Sequence, residues 1–181
     1  MEVASLALLV VVLLAKPPGT MGKALLFLLP VAFGLHVTEE FIWPGGFIAW
    51  DNIYRPQYTD SAGSYYVRVN AIPAVSLFLL GLLALSKPAE YIGSVVPTWL
   101  TIAAFMSWNA LFHLRGAIRT RRYSPGMMTG LTLLLPLTIA GFVHFLHAGL
   151  PPWIAAVSGA MAFTLQPVLN LIKRIGLKMA A

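Results

Sequence analysis

Long apolar runs separated by short polar breaks set the pattern of this chain. Five runs reach spanning length, at about 24–43, 65–86, 90–114, 126–147 and 151–172. Crossing about 30 Å of hydrocarbon takes roughly 20 helical residues, so each predicts a transmembrane helix. A shorter run at about 3–15 has no positive segment before it. Lys16-Pro17-Pro18-Gly19 follows it rather than a small-residue cleavage site, so a short first helix is expected instead of a removed signal peptide. The fold class expected is all-α: a polytopic bundle of five long helices plus the shorter one, with residues 1–181 as one membrane domain.

The breaks carry helix-stopping chemistry: Pro17-Pro18-Gly19, Pro44-Gly45-Gly46, Ser86-Lys87-Pro88, Ser124-Pro125-Gly126 and Pro151-Pro152. Ser124 is expected to cap the fourth long helix, with Pro125 in its first turn. Residues 44–63 read as the one sizeable loop, and its Trp50, Tyr54 and Tyr58, with Tyr65 and Tyr66 just beyond, suit a membrane interface. Each long run also holds a proline (Pro30, Pro73, Pro97, Pro136, Pro167), which membrane helices tolerate when neighbours satisfy the freed carbonyl. There is no internal repeat of the kind that builds transporters from inverted halves.

Composition agrees with the pattern. Hydrophobic residues make up 59% and charged residues 10%, too few charges for a soluble domain, in which about a quarter of residues are charged. Cysteine is absent, which excludes disulfides, thiolate metal centres and iron–sulfur clusters. The net charge of +6 comes from juxtamembrane clusters: Arg115, Arg119, Arg121 and Arg122 in one, Lys173, Arg174 and Lys178 in the other. These read as topology signals facing anionic lipid, not as a nucleic-acid surface. With six helices, placing both clusters in the cytoplasm puts both termini there. An inner (cytoplasmic) membrane location is expected, with membrane lipid as the surrounding partner; nothing bears on the oligomeric state.

Ionisable groups inside hydrocarbon cost about 2.5–3.5 kcal/mol each at mid-helix, so the ones retained there have a use. Of the six acids, only Glu39 and Glu40 fall inside a span, in Leu35-His36-Val37-Thr38-Glu39-Glu40. At about 100° per residue they flank His36 on one helix face. Asn109 and His113, one turn apart on the third span, and Arg68 and Asn70, at the start of the second, share its depth. His36, Glu40, Asn70, Asn109 and His113 are each expected within roughly 5–12 Å of one interface, at about 1.5 Å per residue. That predicts a common pocket near the face carrying Arg115, with Arg68 and Asn70 as supporting or substrate-contacting groups. His144 and His147 finish on the opposite side.

The string His36-x-x-Glu39-Glu40 resembles the signature of the HXXEE family of small bacterial membrane proteins. Asn109-x-x-x-His113, the arginine-rich helix exit and Tyr123-Ser124-Pro125-Gly126-Met127-Met128-Thr129 are similar too. That family is uncharacterised and its members are thought to be membrane-bound enzymes. The resemblance therefore implies a polar site at His36, Glu39, Glu40, Asn109 and His113 but supplies no reaction.

Two chemistries fit these residues. His36, Glu39, Glu40 and His113 offer nitrogen and oxygen ligands for a divalent ion such as zinc or non-haem iron, with an open position. Alternatively Glu39, Glu40 and His36 act as acid and base without metal, with Asn109 or Arg68 holding an oxyanion. No nucleotide or flavin fingerprint accompanies them. A membrane-embedded enzyme acting on a lipophilic or amphiphilic substrate is the leading expectation. A small proton- or cation-coupled transporter using the same carboxylates is the alternative.

Overall fold

The computed structural model describes residues 21–56, 70, 74–79, 81–82 and 92–179. The run at 3–15, Arg68 and most of the expected second span lie outside these residues. The described residues contain helices and connections but no strand. We number the helices α1 (Met21–Phe41), α2 (Phe47–Tyr54), α3 (Ile92–Thr120), α4 (Met127–His147) and α5 (Pro152–Met179). Residues 74–79 and 81–82 are also helical.

Among the described residues, three helices are long and apolar enough to cross a membrane: Met21–Phe41, Val95–Thr120 and Met127–His147. The apolar part of α5, Pro152–Leu165, is shorter. The third helix runs to Thr120, past the expected end at 114, because leaving hydrocarbon does not end a helix. Arg119 in its last turn complements the helix dipole.

The bundle is organised around α3, which packs against α1, α4 and α5. Its Trp99, Leu100 and Ala103 meet Leu26, Leu29 and Phe33 of α1 and Leu134 of α4 in a buried cluster. In lipid, this cohesion comes from close packing and interhelical hydrogen bonds rather than from water exclusion. Gly141 shows the fit: a Cβ there would stand 2.3 Å from the Trp99 ring, so the indole lies directly on the α4 backbone.

Thr138 ties the same two helices through its hydroxyl, which reaches the Ala103 carbonyl of α3 (2.9 Å) and the Leu134 carbonyl of its own helix (2.8 Å). Thr138→Val keeps the shape and loses this link. It is expected to lower bundle stability by about 0.5–1.5 kcal/mol, read as a shift in the unfolding midpoint on titrating lipid–detergent micelles with a denaturing detergent.

The prolines leave distinct marks. Pro30, Pro97 and Pro167 lie inside continuous helices. Upstream of Pro136 the turn widens into a π-helical stretch, Gly130–Leu134. Proline lacks the N–H that would bond four residues back and its ring crowds that carbonyl, so the preceding turn opens. Gly130 at its start sits where a Cβ would be 3.0 Å from the Ala110 Cβ, which brings the beginning of α4 close to α3.

After α1 the chain reverses sharply. Gly45 and Gly46 have positive φ (70° and 87°), and the Gly45 N–H bonds back to the Glu39 carbonyl at 3.1 Å, a helix stop that glycine makes without steric cost. The segment expected as a loop then forms α2. Its Phe47 and Trp50 are buried against Phe41 and Phe112, which corrects the reading of Trp50 as an interfacial residue. Asp51, in the same segment, is buried and accepts a 2.7 Å bond from the Arg55 guanidinium. Arg55 in turn lies 4.4 Å from the centre of the Phe112 ring, holding α2 against α3.

Candidate metal centre

His36 and Glu40 occupy the last turns of α1, one turn apart, and His113 faces them from α3. All three are buried: the two histidines are 0% exposed and Glu40 is 3% exposed. Glu40 Oε1 lies 3.1 Å from His113 Nε2 and 3.5 Å from His36 Nε2. One ligand atom from each of the three residues lies within 4.8 Å of the others. Two donors on one zinc-like ion at tetrahedral angles stand about 3.3 Å apart, so this triangle is close to metal-binding size. The imidazole planes cross at 80°, presenting their nitrogens from different directions.

Asn109 sits one turn before His113, and its amide Nδ2 donates to Nε2 of both His36 (3.1 Å) and His113 (3.3 Å). Asn70 Nδ2 approaches the other Glu40 oxygen at 3.5 Å. His36, His113 and Asn70, three of the residues expected at a common depth, therefore meet at the Glu40 carboxylate, and Asn109 joins them through the two imidazoles. Arg68 lies outside the described residues.

Glu39 departs from the expected ligand set. It points away from the triangle and accepts four hydrogen bonds: from the Tyr123 hydroxyl, the Met128 N–H (3.1 Å), the Thr129 N–H (2.7 Å) and the Thr129 hydroxyl (2.6 Å). The neighbouring glutamates diverge because one residue step on a helix is about 100°. Free N–H groups at the start of α4 attract a carboxylate on Glu39's side.

This also overturns the expected cap. Ser124 and Pro125 do not open α4: Gly126 stands at the cap position with φ 96° and no side-chain capping bond. The Ser124 hydroxyl lies instead 2.8 Å from His113 Nδ1. Gly126 is pressed onto the site, where a Cβ would come within 2.8 Å of His36 Cε1, 2.9 Å of Glu40 Cγ and 2.9 Å of His113 Cε1.

The aromatic side of the site comes from α2. The Phe47 ring centre lies 5.4 Å from that of His113, and Trp50 stacks on the same imidazole at 5.9 Å. Trp50 is seated on Gly116, where a Cβ would be 2.4 Å from the indole. Tyr123, by contrast, is 44% exposed at the rim. Burial of its phenol and its bond to the Glu39 carboxylate raise its pKa well above the usual tyrosine value, so it stays a donor throughout the physiological range.

Among the expected residues, His144 lies far from this centre. Its imidazole is next to Gly22, at the opposite end of α1, about 21 Å along the helix from His36. Ser107, one turn before Leu111 on α3, has a buried hydroxyl with no hydrogen-bond partner among the described residues.

Residues 27–141 match the family described as a protein of unknown function with HXXEE motif. The chain belongs to the HXXEE family. The matched stretch contains both halves of the centre, from the His36–Glu40 string that names the family to the 123–129 segment that packs on it. No curated protein and no solved structure matches this HXXEE protein.

Proposed function

We propose that this HXXEE protein is a membrane-embedded, metal-dependent enzyme whose ion is held by His36, Glu40 and His113. One observation carries the reading. Both Nε2 atoms accept from Asn109 and both face a Glu40 oxygen at 3.1–3.5 Å, so three electron-rich atoms converge in a buried space. With both Nε2 atoms unprotonated they repel one another, whereas a proton on either nitrogen would join it to Glu40. A divalent cation at their centre turns that repulsion into three bonds and offsets the burial of the carboxylate. Two nitrogens and one oxygen suit zinc or ferrous iron better than magnesium or calcium, which prefer all-oxygen sets. An ion so held keeps open positions and acts as a Lewis acid or activates water. Asn109 is then placed to orient a bound oxygen.

A lipophilic substrate is supported by an apolar cleft of about 360 Å³ between α1 and α4. It runs from Leu28 and Ala140 at one end to Leu35 and Thr132 at the other, the end nearer in sequence to His36 and Thr129. A hydrocarbon chain fits the apolar lining of that cleft, on the same two helices that carry His36, Glu40 and Thr129. The arginine cluster after His113 supports a cytoplasmic position for this face, and with it both termini inside an inner membrane.

The test is elemental analysis of purified protein after reconstitution with zinc or ferrous iron, together with lipid profiling of cells expressing it. One ion per wild-type chain and none in His36→Ala, Glu40→Ala or His113→Ala is expected. Wild type and Glu40→Gln should give different lipid profiles. A wild type without stoichiometric ion would remove the metal and leave acid–base chemistry. An unchanged profile with Glu40-dependent cation flux in liposomes would replace the enzyme with a transporter.

A further inference from the structure

The segment 123–129 is used by neither the ligand set nor the cleft, yet four of its residues converge on the centre. Tyr123 donates to Glu39, Ser124 contacts His113 Nδ1, Gly126 lies against both imidazoles, and Thr129 contacts both Glu39 and His36.

The Thr129 hydroxyl decides what the contact with His36 means. A hydroxyl carries one proton, and that proton goes to Glu39 Oε2 at 2.6 Å. Glu39 has no proton to offer in return, because four donors already fill its two oxygens. Toward His36 Nδ1, 3.1 Å away, Thr129 can therefore only accept. His36 must carry a proton on Nδ1, so its neutral form presents Nε2 as the bare lone pair on the Glu40 side.

Asn109 reaches the same result from the opposite side. Its amide nitrogen lies 3.1 and 3.3 Å from Nε2 of the two histidines, contacts that an N–H donor makes when both neutral rings carry their protons on Nδ1. His113 then donates to the Ser124 hydroxyl at 2.8 Å.

We infer that Glu39 is a positioning residue rather than a ligand: acting through Thr129, it locks His36 in the Nδ1–H form, while at His113 the Ser124 hydroxyl is free to accept the matching Nδ1 proton. The second glutamate of the HXXEE string thus supplies the bond to the ion, and the first sets which nitrogen is available for it. Carboxylates commonly orient metal-bound histidines directly; here a threonine hydroxyl stands between them. The inference rests on the metal reading above, but its first consequence, the tautomer, is present before any ion binds.

The test uses full-length protein with ¹⁵N-labelled histidine in lipid nanodiscs, metal-free at pH 8. His36 and His113 signals are assigned by their loss in single His→Gln variants. Ring nitrogen shifts in wild type should show Nδ1 protonated and Nε2 bare for both residues. Thr129→Val should give a mixture of tautomers at His36 while His113 is unchanged, and zinc affinity should fall about 10- to 100-fold. Thr129→Ser should restore both readings.

Wild-type His36 carrying its proton on Nε2, or on both nitrogens, would overturn the inference, as would a Thr129→Val protein with unchanged tautomer and zinc affinity. If Thr129→Val does not fold, the wild-type spectrum and the Thr129→Ser protein still decide. A correct tautomer in a protein that binds no zinc or iron would reject the metal reading and keep the positioning role.

Discussion

Gly126→Ala is expected to abolish metal binding, weakening zinc affinity at least 100-fold, although the substitution adds a single methyl group far from any ligand in sequence. Two effects combine. The residue has φ 96°, and holding a side chain in such a conformation costs of order 1–3 kcal/mol. The added Cβ would also stand within 2.9 Å of atoms on His36, Glu40 and His113 together. These are the three proposed ligands, and none is the free end of a flexible chain, since each is buried and held by partners. Either the 121–126 connection moves outward, taking Ser124 and Thr129 from the imidazoles, or the ligands separate. Isothermal titration with zinc measures the loss. A Gly126→Ala protein binding zinc within a few-fold of wild type would show that the connection yields and does not shape the centre.

Trp99→Ala is expected to have the largest effect on stability and little on the ion. The Trp99 side chain is fully buried among α1, α3 and α4, and its ring rests on the Gly141 backbone. No smaller side chain fills that contact from α3, and Gly141 has none to offer in return. Removing a buried tryptophan from a packed core costs about 3–5 kcal/mol, here through lost packing between helices. The unfolding midpoint in mixed micelles should fall several times further than for Thr138→Val, while protein that remains folded still binds one ion. Trp99 lies about 21 Å along α3 from His113, so the two losses should separate. Loss of the ion at denaturant levels where α3 and α4 remain docked would contradict this.

How far the sequence shows the site can be followed residue by residue. His36, Glu40, Asn109 and His113 were legible because helical period and depth are arithmetic, and polar groups in a lipid span have few places to go. Asn70 was legible for the same reason. The division of labour between Glu39 and Glu40 was not. On an isolated helix both flank His36 equally, and the difference comes from the start of α4 arriving on one side only. Ser124 misled for a related reason: serine before proline is a sound cap signal, but a buried imidazole nearby takes the hydroxyl instead. Trp50 carried two meanings, interface anchor or packed ring. Gly116, which leaves room for the indole, sits on a different helix 66 positions later in the sequence. The helical content and the limits of α1 and α4 were legible to within a few residues. The π-helical turn was not, since proline alone does not say how a helix will absorb it.

The bond between Glu39 and Thr129 joins positions 90 residues apart, and this has a consequence for how the chain is made. A protein synthesised from its N-terminus at about 5–20 residues per second leaves α1 waiting roughly 5–18 s for the segment that satisfies it. Throughout that interval His36, Glu39 and Glu40 are present in a helix meant for the bilayer without Thr129, Tyr123 or Gly126. Among the described helices, α1 is therefore the one least able to settle alone, and its Glu39 carboxylate is satisfied only after α4 has emerged to accept it.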